Sequence, residues 1–432
     1  MIVKNEEFQN YIPRLFPEEG GEDRRVRSAT LQVTDACNLR CTYCYQINKG
    51  EHYLDFETAK KYVDILLAGE NPYINFENSR GITFEFIGGE PFMAIDLVDK
   101  ITEYILNKMI KENHPWLFRS RFSFSSNGTL YFQPKVQEYI KKYAPFISIG
   151  FSIDGNKELH DSCRIFPDGS GSYDIAVAAA KDYMKRYNEK LNTKMTLAPE
   201  NVAYTSAAIQ NLIDIGYTNV FCNCVYEEGW QTEHATTLYY QLKDLADYLF
   251  ESNLHDDIFI SIFDEESFYH KEDSDDQNWC GGTGDMIAVD YKGDIFPCLR
   301  YMESSLGTDA KPLIIGTVDG GLCTTPDQQK CVDCLRCITR SSQSTKECME
   351  CPISAGCAWC SAYNYQKFGT ANKRATFICV MHKARALANL YFWNKHYKLL
   401  GLDRRMENHV PREWALEIIP EEEFDMLLEL TK

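Results

Sequence analysis

The fold of this chain is constrained most strongly by a pattern between residues 27 and 240, where short apolar segments alternate with longer amphipathic ones. Six segments have the length and alternation of β-strands: Ala29–Thr34, Thr83–Ile87, Phe122–Ser125, Ile147–Ile153, Thr193–Leu197 and Asn219–Tyr226. Helices are predicted between them at Phe56–Ala68, Asp96–Lys111, Lys135–Lys142, Tyr173–Asn188 and Ala203–Ile215. Six strands that alternate with helices indicate an α/β fold built of parallel β/α units.

Length, charge and cysteine count narrow the class of protein. The 432 residues exceed one ordinary core, and 44% hydrophobic and 13% aromatic residues are typical of a soluble globular chain. A formal charge of −18 argues against nucleic acid or an anionic membrane as a partner. The N-terminus lacks the apolar core of a signal peptide, and no apolar run is long enough to span a bilayer. We expect a cytoplasmic protein whose seventeen cysteines are metal ligands before they are disulfides.

Three cysteines follow the first predicted strand directly. Cys37, Cys41 and Cys44 have C-x3-C-x2-C spacing, so one loop can bring three thiolates to one metal centre. Iron–sulfur clusters normally take four cysteines. A loop that offers three leaves one iron open, as catalytic metal sites do. Half of a zinc site, completed by a distant residue, is the alternative on spacing alone.

The loop resembles the cluster loop of the radical S-adenosylmethionine (radical SAM) enzymes, and further segments follow in that family's order. The resemblance implies a partial (β/α)6 TIM-like barrel with a [4Fe–4S] cluster on the three loop cysteines. In the family, the open iron binds S-adenosylmethionine, which is cleaved to a 5′-deoxyadenosyl radical. The family's cofactor contacts map onto Tyr43, Gly88, Gly89, Glu90, Pro91, Ser126, Asn127, Ser152, Asp154, Arg164 and Leu197.

These contacts differ in the roles that the resemblance implies. Arg164 is expected to pair with the carboxylate of S-adenosylmethionine through its bidentate fork. Asp154 holds a hydroxyl or orients the turn. Plain structural alternatives are a helix start at Pro91, an Asn-Gly turn at Asn127 and a core position for Leu197.

Four other residues near these segments are interpreted structurally. His160 is expected to be a hydrogen-bonding residue of the fold, and Cys163 a small buried hydrophobe. Cys222 and Cys224 alternate on one strand and therefore share a face. Buried core cysteines are favoured over a pair that faces substrate.

Residues 279–383 hold eleven of the seventeen cysteines and resemble the SPASM domain of peptide-modifying radical SAM enzymes. A hairpin that turns at Lys292-Gly293 is predicted to bring Cys280 and Cys298 together. The resemblance implies two auxiliary [4Fe–4S] clusters, a nearer one on Cys280, Cys298 and Cys360, and a farther one on Cys348, Cys351, Cys357 and Cys379. One departure is that only two residues, not three, separate Cys357 from Cys360.

Four cysteines fall outside that pattern: Cys323, Cys331, Cys334 and Cys337. One of them supplies the missing fourth ligand of the nearer cluster, or the group binds a further cluster or zinc, or it is structural. Without a fourth ligand, the nearer cluster keeps an open iron that can take a substrate thiolate. A zinc-ribbon scaffold is the alternative for the whole region.

The remaining boundaries follow from these assignments. Residues 1–27 are an irregular lead-in, 28–240 the barrel, 241–278 a linker helix and hinge, 279–383 the SPASM region, and 384–432 a tail of C-terminal helices. The lead-in is shorter than the leader-recognition domain of many relatives. A peptide leader is therefore expected to bind another surface, a separate protein or the tail.

The resemblance favours a maturase that installs thioether crosslinks in a ribosomally made, cysteine-containing precursor peptide with a leader. Such enzymes, the sactipeptide and ranthipeptide synthases, need an electron donor of the flavodoxin or ferredoxin type. Leu299 stands where the formylglycine-forming branch carries an Asp, which counts against sulfatase maturation. We expect Leu299 and Arg300 to border a substrate channel. The alternatives are formylglycine formation, carbon–carbon crosslinking, epimerisation and a non-catalytic iron–sulfur electron carrier.

Overall fold

A computed structural model of the chain describes residues 26–69, 74, 81–188, 191–278, 280–307 and 310–432, without the side chain of residue 194. Almost all of the predicted lead-in (residues 1–27) lies outside the described residues. The strands are β1 (Ser28–Thr34), β2 (Ile82–Gly88), β3 (Ser120–Ser126), β4 (Ile147–Phe151), β5 (Asn192–Leu197), β6 (Asn219–Cys224), β7 (Phe259–Ile260), β8 (Met286–Val289), β9 (Asp294–Phe296), β10 (Gly316–Thr317) and β11 (Gly321–Leu322). All six predicted strands are present, and their bounds differ from the prediction by at most two residues.

Helices follow most of the barrel strands, as the sequence predicts. They are α1 (Phe56–Ala68), α2 (Ile95–Lys111), α3 (Pro134–Tyr143), α4 (Lys157–Cys163), α5 (Tyr173–Arg186), α6 (Thr205–Ile215), α7 (Thr232–Glu251), α8 (Pro326–Arg336), α9 (Arg340–Gln343), α10 (Lys346–Met349), α11 (Ser361–Phe368), α12 (Cys379–Leu400), α13 (Arg412–Leu416) and α14 (Glu421–Leu430). The helix α1 begins where the Asp55 carboxylate accepts a hydrogen bond from Thr58 N at 2.9 Å, and it ends at Gly69 in a left-handed conformation.

The strands form two sheets in the described residues. The order of the larger sheet is β11-β10-β9-β8-β1-β2-β3-β4, and that of the smaller one is β5-β6-β7. Strands β1 to β4 pair in parallel, as do β5 to β7. Buried residues continue along β1 from Ala29 to Thr34, which is typical of a parallel sheet covered on both faces. The predicted α/β barrel units are therefore confirmed, with an interruption of the ladder between β4 and β5.

The cysteine-rich region continues the barrel sheet instead of standing apart from it. Strand β8 pairs in parallel with β1, with Leu31 opposite Val289. Strands β8 and β9 form the predicted hairpin, and it turns at Gly293, whose φ of 84° favours glycine. The first barrel strand is thereby hydrogen-bonded to the hairpin that lies between Cys280 and Cys298 in the sequence.

The C-terminal tail packs on the helix that leaves the barrel. The helix α12 begins at Cys379, six residues before the predicted start at Arg385, and lies along α7. Asn389 fixes it, because its side chain donates to Ile262 O at 2.9 Å and accepts from Asp264 N at 2.8 Å. Among the described residues, no helix has both the length and the apolar character needed to cross a membrane.

Candidate active site

The three-cysteine loop leaves the C-terminal end of β1, at the edge where parallel strands place active sites. The Asp35 carboxylate closes the loop by accepting from His52 N at 2.7 Å. Arg40 N and Thr42 N donate to the carbonyl oxygens of Ile165 and Cys163, at 2.7 and 3.0 Å. The loop is therefore fixed at both ends and along its length by main-chain bonds.

The thiols of Cys37 and Cys41 are half-buried within this loop. Burial is the largest cause that raises the pKa of both thiols. Leu39 N donates to Cys37 Sγ at 3.4 Å, which favours the thiolate. Because burial disfavours the thiolate form of these half-buried groups, a cation that coordinates them would stabilise it.

Gly88 and Gly89 are required by the approach of the cluster loop to β2. A Cβ on Gly88 would lie 2.6 Å from Thr34 O, and one on Gly89 would lie 2.2 Å from Ala36 O. Gly89 N and Glu90 N donate to Thr34 O and Ala36 O, at 3.1 and 2.9 Å. The two glycines thus hold the loop against β2. Their expected contact with the cofactor stays a prediction.

Glu90 connects two of the predicted cofactor segments. Its side chain is 1% exposed and accepts from Phe92 N at 3.1 Å, Ser126 Oγ at 2.9 Å and Asn127 N at 2.8 Å. Burial raises the pKa of Glu90 to about 7, against the opposing effect of these donors. Pro91 begins a short 3₁₀ turn after it. The described contacts of Glu90 are with protein groups, which fits a positioning residue better than the predicted direct contact with cofactor.

Asn127 links Glu90 to the cluster loop. Its Nδ2 atom donates to Asn38 Oδ1 at 2.9 Å and lies 4.0 Å from Cys37 Sγ. Its Oδ1 atom accepts from Thr129 N at 3.0 Å, so the predicted turn is present. Ser126, Asn127 and the loop are therefore adjacent, as their expected roles require.

Tyr43, Asp154 and Arg164 form one group beside the loop. Arg164 Nε donates to Asp154 Oδ2 at 2.6 Å, and the Tyr43 hydroxyl donates to the same oxygen. The Arg164 guanidinium also lies 5.4 Å from the centroid of the Tyr43 ring. Burial lowers the pKa of Arg164, but Asp154 and Cys41 outweigh it and the net shift is upward. The Arg164 guanidinium, which is expected to pair with the carboxylate of the cofactor, thus pairs with the carboxylate of Asp154 in this structure.

His160 supports that group, and Cys163 departs from its prediction. His160 Nδ1 accepts from Asp154 N at 3.2 Å, and Nε2 lies 3.0 Å from Ser172 Oγ, as a structural histidine would. Cys163 is half-exposed, so the prediction of a buried hydrophobe is wrong. Its backbone carbonyl accepts a hydrogen bond from Thr42 N of the cluster loop, while its side chain lies at the surface beside Ser162.

Two more predicted contacts lie at the strand ends. Ser152 N donates to Ser126 O at 2.9 Å, which places Ser152 next to the Ser126-Asn127 turn. Leu197 is fully buried in the hydrophobic core at the end of β5, in agreement with the core alternative. Its contact with adenine stays a prediction.

The nearer auxiliary cysteines meet beneath the hairpin. Cys280 Sγ lies 3.1 Å from Ser361 Oγ, and a Cβ on Gly282 would lie 3.2 Å from Cys298 Sγ. Burial is the largest cause that raises the pKa of Cys298 and Cys360, and the charges of their neighbouring thiolates add to it. The structure thus brings Cys280, Cys298 and Cys360 together.

The farther auxiliary cysteines also come together. The pKa of Cys379 is raised to about 12, first by burial and then by the thiolates of Cys357, Cys348 and Cys351. Arg374, which the sequence analysis did not single out, donates through Nη2 to Cys357 O at 2.8 Å. Its charge lies beside the group and opposes the build-up of negative charge there.

Three of the four additional cysteines, Cys323, Cys331 and Cys334, interact with one another at α8. Burial and the neighbouring Cys331 thiolate raise the pKa of Cys323, and burial and Cys334 raise that of Cys331. Cys334 and Cys337 are exposed. Cys331 also packs against the apolar cluster that contains Cys298, as Cys360 does, so a fourth ligand from this group stays an alternative.

Arg300 lies between the cluster loop and the nearer group. Its Nη2 donates to Glu227 Oε1 at 2.6 Å, and its guanidinium lies 5.8 Å from the centroid of Tyr45, the residue after Cys44. Its charge interacts with the thiolates of Cys360 and Cys298. The two cysteine sites therefore face each other across one arginine. No sequence motif indicates Glu227, whose carboxylate accepts the hydrogen bond from Arg300.

The spacing of the sulfurs is relevant to the choice between zinc and clusters. A tetrahedral zinc ion with Zn–S bonds of about 2.3 Å holds its sulfurs roughly 3.8 Å apart. In the part of the chain that the structure describes, no three cysteine sulfurs all lie within 4.8 Å of one another. These sulfurs are therefore farther apart than the ligands of one tetrahedral zinc ion.

The parallel β/α units and the cysteine loop at a strand end define a class of protein. Residues 31–209 match the sequence profile of the radical SAM superfamily, and the chain therefore carries a radical SAM domain. S-Adenosylmethionine and a [4Fe–4S] cluster are the cofactors of such a domain.

Three comparisons describe what the chain is similar to. It is 26% identical over 285 residues to the antilisterial bacteriocin subtilosin biosynthesis protein AlbA of Bacillus subtilis, covering 65% of this chain and 56% of that relative. It is 26% identical over 296 residues to a cysteine-type anaerobic sulfatase-maturating enzyme of Clostridium perfringens, covering 62% and 73%. The structure of native anSMEcpe with bound AdoMet and Cp18Cys peptide superposes with a TM-score of 0.61 at 20% identity, covering 83% and 95%.

The extent of these matches limits what they show. The structural likeness, at 20% identity, shows a shared fold. The chain spans 61%, 56% and 46% of the length of three curated relatives that it matches. The matches therefore show the fold and the radical SAM domain. They do not extend to the activity or the substrate of the whole protein.

Proposed function

We propose that this chain is a radical SAM maturase that joins a cysteine sulfur to a carbon within a ribosomally made precursor peptide. The similarity to a bacteriocin biosynthesis protein and to sulfatase-maturating enzymes supports a peptide or protein substrate. Within this class of maturases, the proposal specifies one reaction, thioether formation.

The residues at the end of β1 fit the cofactors of the domain. Cys37, Cys41 and Cys44 would hold the cluster, and their fixed loop offers three half-buried sulfurs for it. Bound S-adenosylmethionine and the cluster supply the 5′-deoxyadenosyl radical. Tyr43 and Arg164 would flank the cofactor, while Glu90 holds the loop, β2 and the Ser126-Asn127 turn in one arrangement.

The observation that carries the thioether proposal is the three-cysteine group across Arg300. Cys280, Cys298 and Cys360 are gathered there. A three-cysteine site leaves a position for a fourth thiolate, and a metal-bound thiol is deprotonated. A substrate cysteine held there would present a sulfur nucleophile beside the radical SAM site.

Formylglycine formation is the second candidate, because sulfatase-maturating enzymes are among the relatives. Leu299 follows Cys298 in a 3₁₀ turn and packs against the apolar cluster of the cysteine-rich region. A leucine has no group that accepts a proton. The residue at this position therefore favours crosslinking over the reaction that needs a base there.

The test is the mass and thiol content of the product peptide. The cluster-loaded enzyme is incubated anaerobically with reductant, S-adenosylmethionine and small cysteine-containing peptides encoded beside its gene. A thioether product loses two hydrogens and takes up one fewer iodoacetamide than the substrate. A loss of two hydrogens with every thiol still alkylated would identify a carbon–carbon crosslink, and an unchanged mass with inverted stereochemistry an epimerase. Either outcome would contradict the proposal.

The placement of Arg300 adds a variant test. Arg300→Ala is expected to lower peptide turnover by roughly tenfold or more, because it removes the charge between the two cysteine sites, worth about 1.4 kcal/mol or more. Formation of 5′-deoxyadenosine without peptide is expected to persist. Arg412→Ala, which removes exposed ion pairs to Glu421 and Asp425, is the matched control. Equal turnover by Arg300→Ala and the control would contradict a role at the substrate site.

A further inference from the structure

A second set of metal-ligating side chains lies where the loop after α7 meets α12. His255 follows the end of α7, and His396 is in the last turns of α12. The two carboxylate oxygens of Asp256 lie 3.6 Å from His255 Nε2 and 3.6 Å from His396 Nε2. One ligand atom from each of the three residues lies within 4.8 Å of the other two.

The two imidazoles are held in place by aromatic packing. The side chains of His255 and His396 are 8% and 11% exposed, whereas Asp256 is 59% exposed. The His255 ring lies 5.2 Å from that of Phe250, and the His396 ring lies 5.5 Å from that of Trp393. The site therefore has two fixed nitrogens inside and a carboxylate at its mouth, where an ion and water can enter.

The contacts between Asp256 and the two imidazoles are ion-pair contacts, and neither is a hydrogen bond. A distance of 3.6 Å is too long for a hydrogen bond. Burial lowers the pKa of His396, and although Asp256 opposes this effect, the neighbouring His255 adds to it. Both Nε2 atoms face the shared Asp256 carboxylate, and uncharged imidazole is the form in which histidine binds metal.

We propose that His255, Asp256 and His396 bind one divalent transition-metal ion, with Zn²⁺ as the first candidate. Bonds of about 2.1 Å in a tetrahedral site place ligand atoms roughly 3.4 Å apart. Each Nε2 atom lies 3.6 Å from one of the two Asp256 oxygens, which is close to that value. Two imidazoles and a carboxylate suit zinc, nickel or cobalt, and not magnesium or calcium, which prefer oxygen. Water would complete the site.

The bound ion would link α7 to α12. These two helices pack along each other, and the three ligands lie at one end of that contact. In the described part of the chain, the Nδ1 atoms of both histidines are buried without a hydrogen-bond partner. Losing such outer partners typically weakens metal binding 10- to 100-fold, so the affinity is expected to be moderate.

The experiment uses the full chain with its cysteines loaded with iron and sulfide. Wild type and a His255→Gln/His396→Gln variant are dialysed against Zn²⁺, and bound zinc is measured by mass spectrometry of the metal. Wild type is expected to hold one zinc more per chain, and zinc is expected to raise its melting temperature. His409→Gln, which changes an exposed histidine, is the control and should match wild type.

X-ray absorption at the zinc edge and a milder variant complete the test. The ion lost from the double variant should show nitrogen and oxygen ligands. Asp256→Asn alters an exposed side chain, so it is expected to fold and to bind zinc at least tenfold more weakly. Equal zinc content in wild type and the double variant, or sulfur ligands only, would place the zinc on cysteines and overturn the proposal.

Discussion

The guanidinium of Arg164 is bound to the carboxylate of Asp154, with 2.6 Å between Nε and Oδ2. Asp154 is 2% exposed, and the Tyr43 hydroxyl shares its oxygen. The pair therefore joins the cluster loop to the turn after β4. Arg164 is oriented by the fold before any ligand arrives.

Breaking this buried pair should destabilise the chain strongly. Arg164→Gln leaves the Asp154 carboxylate buried without its partner, which typically costs about 3–5 kcal/mol of unfolding free energy. Arg186→Gln, which breaks an exposed pair with Asp182, should cost less than about 1 kcal/mol. Anaerobic denaturant unfolding of the cluster-loaded protein measures both. Similar losses for the two variants would contradict the buried pairing.

The approach of Gly89 to the cluster loop predicts a selective loss of iron. Gly89→Ala would place a Cβ 2.2 Å from Ala36 O and 2.7 Å from Cys37 Cβ, so the loop must move. We expect the variant to lose roughly one cluster, about four irons per chain, after reconstitution. Gly150→Ala is the control, because its Cβ meets only Phe124 O at 3.6 Å. Full iron loading of Gly89→Ala would show that the loop does not need this contact.

The buried carboxyl of Glu90 predicts a pH dependence of stability. Because burial raises its pKa from 4.5 to about 7, the folded chain keeps a proton that the unfolded chain has lost. The resulting stabilisation is complete below the unfolded pKa and is lost as the pH rises through about 7. It amounts to about 3 kcal/mol.

Unfolding free energies between about pH 5 and pH 8 check this sign. The stability of wild type relative to Glu90→Gln should fall as the pH rises. Glu158→Gln, at an exposed position, should track wild type throughout. A relative stability that rises with pH would mean that the carboxylate, not the acid, is the form favoured by folding.

Burial of Cys222 and Cys224 predicts that they resist alkylation. Burial raises the pKa of these thiols to about 12 and about 11. Iodoacetamide should therefore leave both unmodified in the folded chain and label them in denaturant. Cys163, which is half-exposed, serves as the internal comparison and should be labelled in the folded state. Peptide mass mapping that finds Cys222 labelled as fast as Cys163 would contradict the core assignment.

Sequence predicted much of the fold because the barrel strands carry their own signal. Apolar runs such as β1 are bounded by polar loops, and the hairpin at Gly293 has a local turn residue. The parallel pairing of β8 with β1 has no such signal, because it joins segments more than 250 residues apart. The helix α12 begins before the predicted start at Arg385, because a cysteine that the pattern indicates as a ligand can also begin a helix.

Within the site, the sequence predicted which residues lie together better than it predicted the contacts that their side chains make. The loop cysteines, Asn127 and Arg164 lie in one region, as their order implied. That Glu90 would turn toward Ser126 and Asn127, and that Arg164 would meet Asp154, depends on side-chain directions that a motif does not encode. The same holds for the His255 and His396 pair, whose members are far apart in sequence.

The central claim is tested most directly by measuring 5′-deoxyadenosine. Wild type, a Cys37/Cys41/Cys44→Ala variant and a Cys163→Ala control are reconstituted anaerobically and given reductant and S-adenosylmethionine. Wild type and the control are expected to release 5′-deoxyadenosine, and the triple variant none above background. Wild type that holds its full iron and sulfide and yet releases none, or a triple variant that releases as much as wild type, would contradict a radical SAM site at this loop.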